Sequence, residues 1–315
     1  MRYILFIVFI VFFHSIPGTI QAQERPPQVV VSIKPLHALI AGVMEGIGAP
    51  TLLVKGAASP HAFALRPSEA RGLSKADLVF WVGPALEGFL VQPLKALPES
   101  ARIIQLSEHA LLKRLPLRNG HDHRGEDGEK NDHADGHSET AYDPHLWLDP
   151  RNAQAIVALA VTELSAKAPL NAGRYRDNGA HMTRRLENLV LELDLLMRPV
   201  AQQPFMVFHD SFQYLEKAYG LNMTGFLTLS PEQSPGARWM KEIRKRIQHL
   251  GVRCLFREPS FEARPVMALA RDTGLAVGVL DPLGAGLEPG ADLYFSMMRE
   301  NARSLTNCLK KTGNG

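Results

Sequence analysis

The chain has 315 residues, a formal net charge of +3 and a hydrophobic content of 45 %. The length is enough for two lobes of about 100–150 residues each. The charge is too close to neutral for a basic nucleic-acid-binding surface, so the sequence excludes nucleic acid as a partner.

The N-terminal segment has the layout of a secretory signal peptide. Arg2 precedes an apolar run from Tyr3 to Phe13, and small and polar residues follow up to Ala22. The run is shorter than the about 20 apolar residues that span a bilayer. We expect residues 1–22 to be removed, leaving a periplasmic chain without a membrane span. The alternative is that this segment is not cleaved and anchors the protein in the membrane.

Two sets of four apolar strands, separated by helix-length segments, follow along the chain. Such strands predict parallel sheets covered by helices on both faces. The sequence therefore predicts an α/β protein with two lobes, each a four-stranded, mostly parallel sheet flanked by helices. The predicted strands cover residues 29–33, 51–54, 76–83 and 102–106, then 205–210, 223–229, 252–256 and 275–281.

Three helices are predicted to begin at a proline, which suits the first helical turn. They cover Pro35 to Ile47, Pro67 to Ala76 and Pro235 to Leu250.

One long helix is predicted between the two sets of strands, from Asn171 to Arg198, with apolar residues at steps of three and four. At 1.5 Å per residue it would reach about 42 Å, more than one lobe, and Pro199 ends it. Because no Gly- or Ser-rich hinge is present, we expect a rigid connection. The predicted units are a first lobe at 23–170, a linking helix at 171–198 and a second lobe at 199–315.

Residues 119–139 form a His/acid-rich segment. They include seven acids, two bases and four histidines, and no residue that would be buried. This composition predicts a mobile loop inserted in the first lobe. Two interpretations remain open, an auxiliary metal-binding loop and a solvated loop with incidental histidines. The four histidines are His121, His123, His133 and His137.

Four residues outside this segment are candidates for a metal site. His61, His209 and Asp281 lie at or just after strand ends, where parallel sheets bind ligands, and His145 follows the His/acid-rich segment. Three neutral imidazoles with a carboxylate or water make a tetrahedral zinc site. Their spacing is not a motif by itself. The alternative is that each histidine only makes local hydrogen bonds and binds no metal.

Six segments resemble, in order, the zinc-uptake solute-binding proteins of bacterial ABC importers, the ZnuA family. The resemblance runs from Val29 to Cys308. It implies two α/β lobes joined by one long helix, with metal bound between them. The segments are VVVSIKPLHALIAGV, GAASPHAFALRPSEA, ADLVFWVGPALEGFL, HLWLDP, FMVFHDSFQYLEKAYGL and LDPLG.

The resemblance implies that His61, His145 and His209 are zinc ligands. Manganese-importing relatives usually carry Glu at the third position, so His209 favours zinc. Some zinc members have Glu directly before the first histidine, where this chain has Pro60. The fourth ligand is then expected to be Asp281 or water.

The only two cysteines are Cys254 and Cys308. In an oxidising compartment an even pair predicts a disulfide, with two free thiols as the alternative. The same pairing occurs in the family that the chain resembles.

The implied function is a non-catalytic, monomeric zinc receptor that serves an inner-membrane ABC permease with a cytoplasmic ATPase. A secreted zinc hydrolase or lyase is the rival, because three histidines and an open position also suit catalytic zinc. Asp210 is its best candidate base, but the sequence has no H-E-x-x-H motif. A manganese or iron receptor and an adhesin are alternatives within the same fold.

Overall fold

The computed structural model describes residues 25–118, 142–229, 231–232 and 236–311. The predicted signal peptide and the His/acid-rich segment lie outside these described residues. Within the ranges described, no helix is both long enough and apolar enough to cross a bilayer.

The first lobe contains a four-stranded parallel sheet with the strand order β2-β1-β3-β4. The central strands β1 and β3 are buried along their whole length, while the edge strand β4 exposes Arg102 and Ile103. All four predicted strands are therefore confirmed. The elements are β1 (Val29–Val31), α1 (Lys34–Val43), β2 (Thr51–Leu52), α2 (Pro67–Leu73), β3 (Leu78–Trp81), α3 (Val91–Lys95), β4 (Arg102–Gln105) and α4 (Pro150–Lys167).

The second lobe repeats this plan with the strand order β6-β5-β7-β8, again all parallel. Gly251 directly follows α7 and Gly274 directly follows α8, and both have a positive φ, which costs least for glycine. The elements are β5 (Phe205–His209), α6 (Gln213–Tyr219), β6 (Met223–Thr228), α7 (Ala237–Leu250), β7 (Cys254–Arg257), α8 (Arg264–Thr273), β8 (Ala276–Val279) and α9 (Leu293–Lys311).

The predicted long helix is α5 (Ala172–Met197), with 26 residues and a short 3₁₀ turn at each end. The apolar residues spaced at three and four along it are mostly buried, but Leu196 is only partly buried and Met197 takes the inner position instead; the buried members are Met182, Leu186, Leu189 and Leu193. The helix packs against α1 and α4 of the first lobe and against α9 of the second. It therefore joins the lobes through packing on both sides.

A disulfide between Cys254 and Cys308 confirms the predicted pairing and spans 54 residues of chain. It connects the first residue of β7 to α9. Helix α9 also packs against α1, so the C-terminal helix touches the first lobe as well. One hydrophobic core extends through both lobes and α5. The lobes are thus held together by more than the linking helix.

Candidate metal centre

Three histidines that are distant in the sequence meet between the lobes. His61 lies in the 3₁₀ turn Pro60–Ala62, His145 directly precedes a second such turn, and His209 is the last residue of β5. Each offers one ring nitrogen, and these three nitrogens lie within 4.8 Å of one another. The ring centroids are 4.9 to 5.6 Å apart. Across the described ranges, this is the one group of His, Cys, Asp or Glu that could hold a metal ion.

The turn that carries His61 is fixed by its neighbours. The hydroxyl of Ser59 accepts a hydrogen bond from the His61 amide at 3.3 Å and donates one to Glu232 at 3.1 Å. Nε2 of His61 is buried and has no hydrogen-bond partner among the described residues. Buried polar atoms rarely go without a partner, and coordination to a metal ion would give this nitrogen one.

His145 is held by Asp143, two residues earlier. Oδ1 of Asp143 lies 2.7 Å from Nδ1 of His145 and accepts the backbone amide of His145 at 2.9 Å. With Nδ1–H donated to the carboxylate, Nε2 of His145 is left with a lone pair for an ion. Sequence reasoning missed Asp143, although its position two residues before a candidate ligand was a usable signal.

A second carboxylate lies behind His209. Oε1 of Glu258 is 3.5 Å from Nδ1 of His209, and Ser211 donates a hydrogen bond to the same oxygen at 3.4 Å. Glu258 is only 3 % exposed and follows β7, next to β5 where the strand order of the second sheet reverses. Sequence reasoning missed this residue too, because a glutamate after a strand is common.

The three imidazoles differ in their affinity for protons. Burial, followed by the nearby His145 and His209, lowers the pKa of His61 to about 2. Burial and His209 likewise lower the pKa of His145. For His209 burial also acts to lower the pKa, but nearby carboxylates, Glu258 first, outweigh it and raise the pKa. His61 and His145 are therefore neutral near pH 7, which is the form that binds metals.

The cavity beside the histidines is small and mostly apolar. Its walls include Leu86, Trp147, Phe261 and Leu283, and the indole N–H of Trp147 donates to the carbonyl of Pro282 at 2.7 Å. The space available to the centre of a water-sized sphere is about 10 Å³. That is about the volume that one water molecule needs. The cavity suits a single ion rather than an organic molecule.

The two predicted aspartates have other partners. The carboxylate of Asp281 accepts the amides of Leu283 at 3.0 Å and Ala285 at 2.6 Å, so it shapes the loop after β8. Asp281 is not in the group of three histidines. Asp210, the candidate base of the rival enzyme, is 3.4 Å from the guanidinium of Arg118. The four histidines of the His/acid-rich segment lie outside the described residues.

Comparisons with known proteins point to one family. The family model described as zinc-uptake complex component A, periplasmic (ZnuA) matches residues 29–308. A protein of Brucella suis biovar 1 named high-affinity zinc uptake system protein ZnuA is 38 % identical over 93 % of this chain and 95 % of its own length. A protein of the same name from Yersinia pestis is 33 % identical over 90 % of this chain and 91 % of its own.

The fold comparison agrees with the sequence comparison. A crystal structure of ZnuA superposes with a TM-score of 0.74 at 24 % identity, covering 90 % of this chain and 98 % of that one. This likeness supports the two-lobe architecture. The family model covers most of the chain, and relatives above 30 % identity match it over nearly their whole length. The chain therefore belongs to the ZnuA family of periplasmic zinc-uptake components.

Proposed function

We propose that this protein is a high-affinity periplasmic zinc receptor that binds Zn²⁺ between its lobes and delivers it to an ABC-type membrane importer. The observation that carries this proposal is the convergence of His61, His145 and His209, whose ligand nitrogens lie within 4.8 Å of one another. Family membership supports the same function, since this family consists of solute-binding receptors and its relatives are named for zinc uptake. The ion is the cargo, and the protein performs no chemistry on it.

The donor set favours zinc among the divalent ions. Imidazole suits zinc, whereas manganese favours carboxylate and carbonyl oxygen. The cavity is too small for the substrate of a hydrolase or lyase, with space for about one water-sized sphere. Asp210, the base that such an enzyme would use, is engaged by Arg118. These features support a receptor rather than an enzyme.

A water molecule is the fourth ligand in this proposal. Pro60 has no ligand atom, and both oxygens of Asp281 already accept backbone amides. Three protein ligands and a water complete the tetrahedron that zinc favours.

The cellular setting follows from the family description, which places the component in the periplasm. We propose that residues 1–22 direct export and are then removed. The mature receptor would act as a monomer, with lobes at 23–170 and 199–315 joined by the helix at 171–198. Its partner would be an inner-membrane permease with a cytoplasmic ATPase.

We also propose that the His/acid-rich segment, with His121, His123, His133 and His137, is a low-affinity auxiliary that gathers zinc near the cleft. Its flanking residues support this placement. Pro116 and Tyr142 pair as an isolated β-bridge, and Arg118 contacts Asp210, next to His209. Deletion of residues 119–139 should remove weak zinc binding and slow uptake in scarce zinc, while the tight site remains. Unchanged stoichiometry and uptake would contradict the auxiliary role.

The main test is zinc calorimetry on the metal-free protein and on His61→Ala, His145→Ala and His209→Ala. A structural zinc site contributes about 10–16 kcal/mol, or roughly 3 kcal/mol for each of four ligands, which corresponds to about 100-fold in affinity. Each variant should lose about that factor.

His181→Ala is the matched control, because His181 is an exposed histidine on α5. This variant should bind zinc like the wild type. Zinc should also raise the melting temperature of the wild type by mass action. An unchanged melting temperature, or an equal response of all four variants, would contradict the proposal.

A further inference from the structure

We propose that Asp143 and Glu258 are a pair of positioning residues, one bonded to His145 and one beside His209, and that together they supply the two negative charges that balance a bound divalent ion. This inference rests on the zinc-receptor function proposed above. It assigns roles to two buried carboxylates outside the group of three histidines.

Asp143 is fixed from both lobes. Its Oδ1 holds the ring and the amide of His145 at 2.7 and 2.9 Å. With its amide turned to donate, Gln213 of α6 lies 3.0 Å from Oδ2. The hydroxyl of Tyr214 donates to the backbone carbonyl of Asp143 at 3.0 Å. A carboxylate held so firmly sets the orientation of the imidazole and leaves its Nε2 for the ion.

Glu258 has the corresponding place in the second lobe. Its Oε1 lies 3.5 Å from Nδ1 of His209, a buried nitrogen with no hydrogen-bond partner among the described residues, and Glu258 lines the metal cavity. Ser211 holds it from the end of β5, through a hydrogen bond of 3.4 Å. These contacts are longer than those of Asp143, so an ion that pulls His209 toward itself has room to reorient this pair.

The first lobe contains a comparable pair that does not touch a ligand. Ser32, just after β1, donates to the buried Glu87 at 2.5 Å. The same carboxylate accepts the amides of Val82 at 3.2 Å and Gly83 at 2.9 Å. The hydrogen bonds of the Glu87 carboxylate therefore all come from its own lobe. The contrast identifies Glu258 as a carboxylate directed at the metal ligands, and makes Glu87 its natural control.

Charge explains why two such carboxylates are needed. Three neutral imidazoles bring no negative charge, and burying a charge without compensation is costly. Asp210, the acid next to His209, contacts Arg118, which it shares with Glu216. Asp143 and Glu258 are 3 % exposed each and lie directly behind two of the three ligands. Burial raises the pKa of both carboxyl groups, that of Asp143 to about 7, and a bound cation favours their ionised form. In that form their two charges match a 2+ ion and exceed the need of a 1+ ion.

The first experiment tests positioning without metal. Side-chain ¹⁵N spectra of the metal-free protein should report His145 in the Nδ1–H tautomer. Asp143→Asn keeps an oxygen acceptor and should retain that tautomer, whereas Asp143→Ala should lose the preference. An unchanged tautomer in Asp143→Ala would overturn the positioning role of this residue.

The second experiment tests charge by comparing Zn²⁺ with Cu⁺ under anaerobic conditions. Zinc affinity should fall about 10–100-fold in Asp143→Asn and in Glu258→Gln, as is typical when the partner of a metal-bound histidine is removed. Cu⁺ affinity should fall less. Glu87→Gln, the same change at a buried carboxylate away from the ligands, should leave the ratio of the two affinities unchanged.

Equal losses for both ions would indicate a purely structural role and overturn the charge argument. Zinc affinity within twofold of the wild type in both variants would overturn the inference as a whole. Failure of the wild type itself to bind zinc would refute the receptor function, whereas the tautomer result does not depend on metal. The two proposals therefore fail separately.

Discussion

Lys34 joins the two lobes through a buried ammonium group, and replacing it with methionine is a sharp test of how they are held. It is the first residue of α1 and is 4 % exposed. Its Nζ donates to the carbonyls of Gly284 at 3.0 Å, Ala285 at 2.8 Å and Leu287 at 3.0 Å. These carbonyls belong to the loop whose Leu283 lines the metal cavity.

The expected loss of stability follows from these contacts. A hydrogen bond to a charged group contributes about 1.5–3 kcal/mol, so three give roughly 4.5–9 kcal/mol. Burying the ammonium costs several kcal/mol in return. Consistent with that cost, burial lowers the pKa of Lys34, although Asp281 and Glu288 act in the opposite direction. We expect Lys34→Met to reduce the free energy of unfolding by about 2–4 kcal/mol.

Urea unfolding of the metal-free protein measures this loss, and zinc calorimetry measures its effect on the site. Zinc affinity should fall as well, because the loop after β8 is less firmly placed. Lys75→Met is the matched control, since Lys75 is exposed, and it should stay within about 0.5 kcal/mol of the wild type. A loss below about 1 kcal/mol for Lys34→Met, or an equal loss in the control, would refute the reasoning.

Three further predictions concern the site and the disulfide. The apparent zinc affinity should begin to fall above about pH 6.5 on acidification, because the pKa of His209 is raised and its protonation competes with the ion. A chelator competition from pH 8 to 5 measures the affinity, and a fall that begins only below pH 6 would contradict the prediction. Replacing Cys254 and Cys308 by serine should cost about 4 kcal/mol in urea unfolding, given the separation of 54 residues; a loss under about 1 kcal/mol would show that the bond constrains little. Asp281→Asn should keep zinc affinity within about twofold while lowering stability by about 1–3 kcal/mol, since its oxygens hold backbone amides; a 100-fold loss of affinity would instead identify it as a ligand.

The strands could be predicted from the sequence because burial on both faces leaves an unbroken apolar run. All eight predicted runs overlap a strand. The residues at which the strands begin and end could not be predicted as closely. The run 51–54 forms a regular strand only at Thr51–Leu52, yet the amides of Leu53 and Val54 still bond to the carbonyls of Val31 and Ser32. Ends of this kind depend on the neighbouring strand, which an apolar pattern does not describe.

The site could be predicted only in part. Candidate ligands were identified from histidines at strand ends and from a family resemblance, and the structure brings the three histidines together. Asp143 could have been found from its position two residues before His145, whereas Glu258 was missed because its role depends on a contact that crosses the fold. Glu258 is 49 residues from His209, and Gln213 reaches Asp143 from the other lobe. Long-range packing of this type leaves no local pattern.

The density of histidines in a sequence is a poor guide to affinity, because a tight site needs ligands that are already in place. Ordering the backbone costs roughly 1–2 kcal/mol per residue, and a site that is ordered only by its ion bears that cost on binding. In this protein, folding itself orders most of the backbone around the ligands, so little of that entropy cost falls on zinc binding. Ser59 holds the turn of His61, Asp143 holds His145, and β5 ends at His209. The same reasoning ties zinc affinity to contacts between the lobes, so substitutions that loosen those contacts should weaken binding even where no ligand is touched.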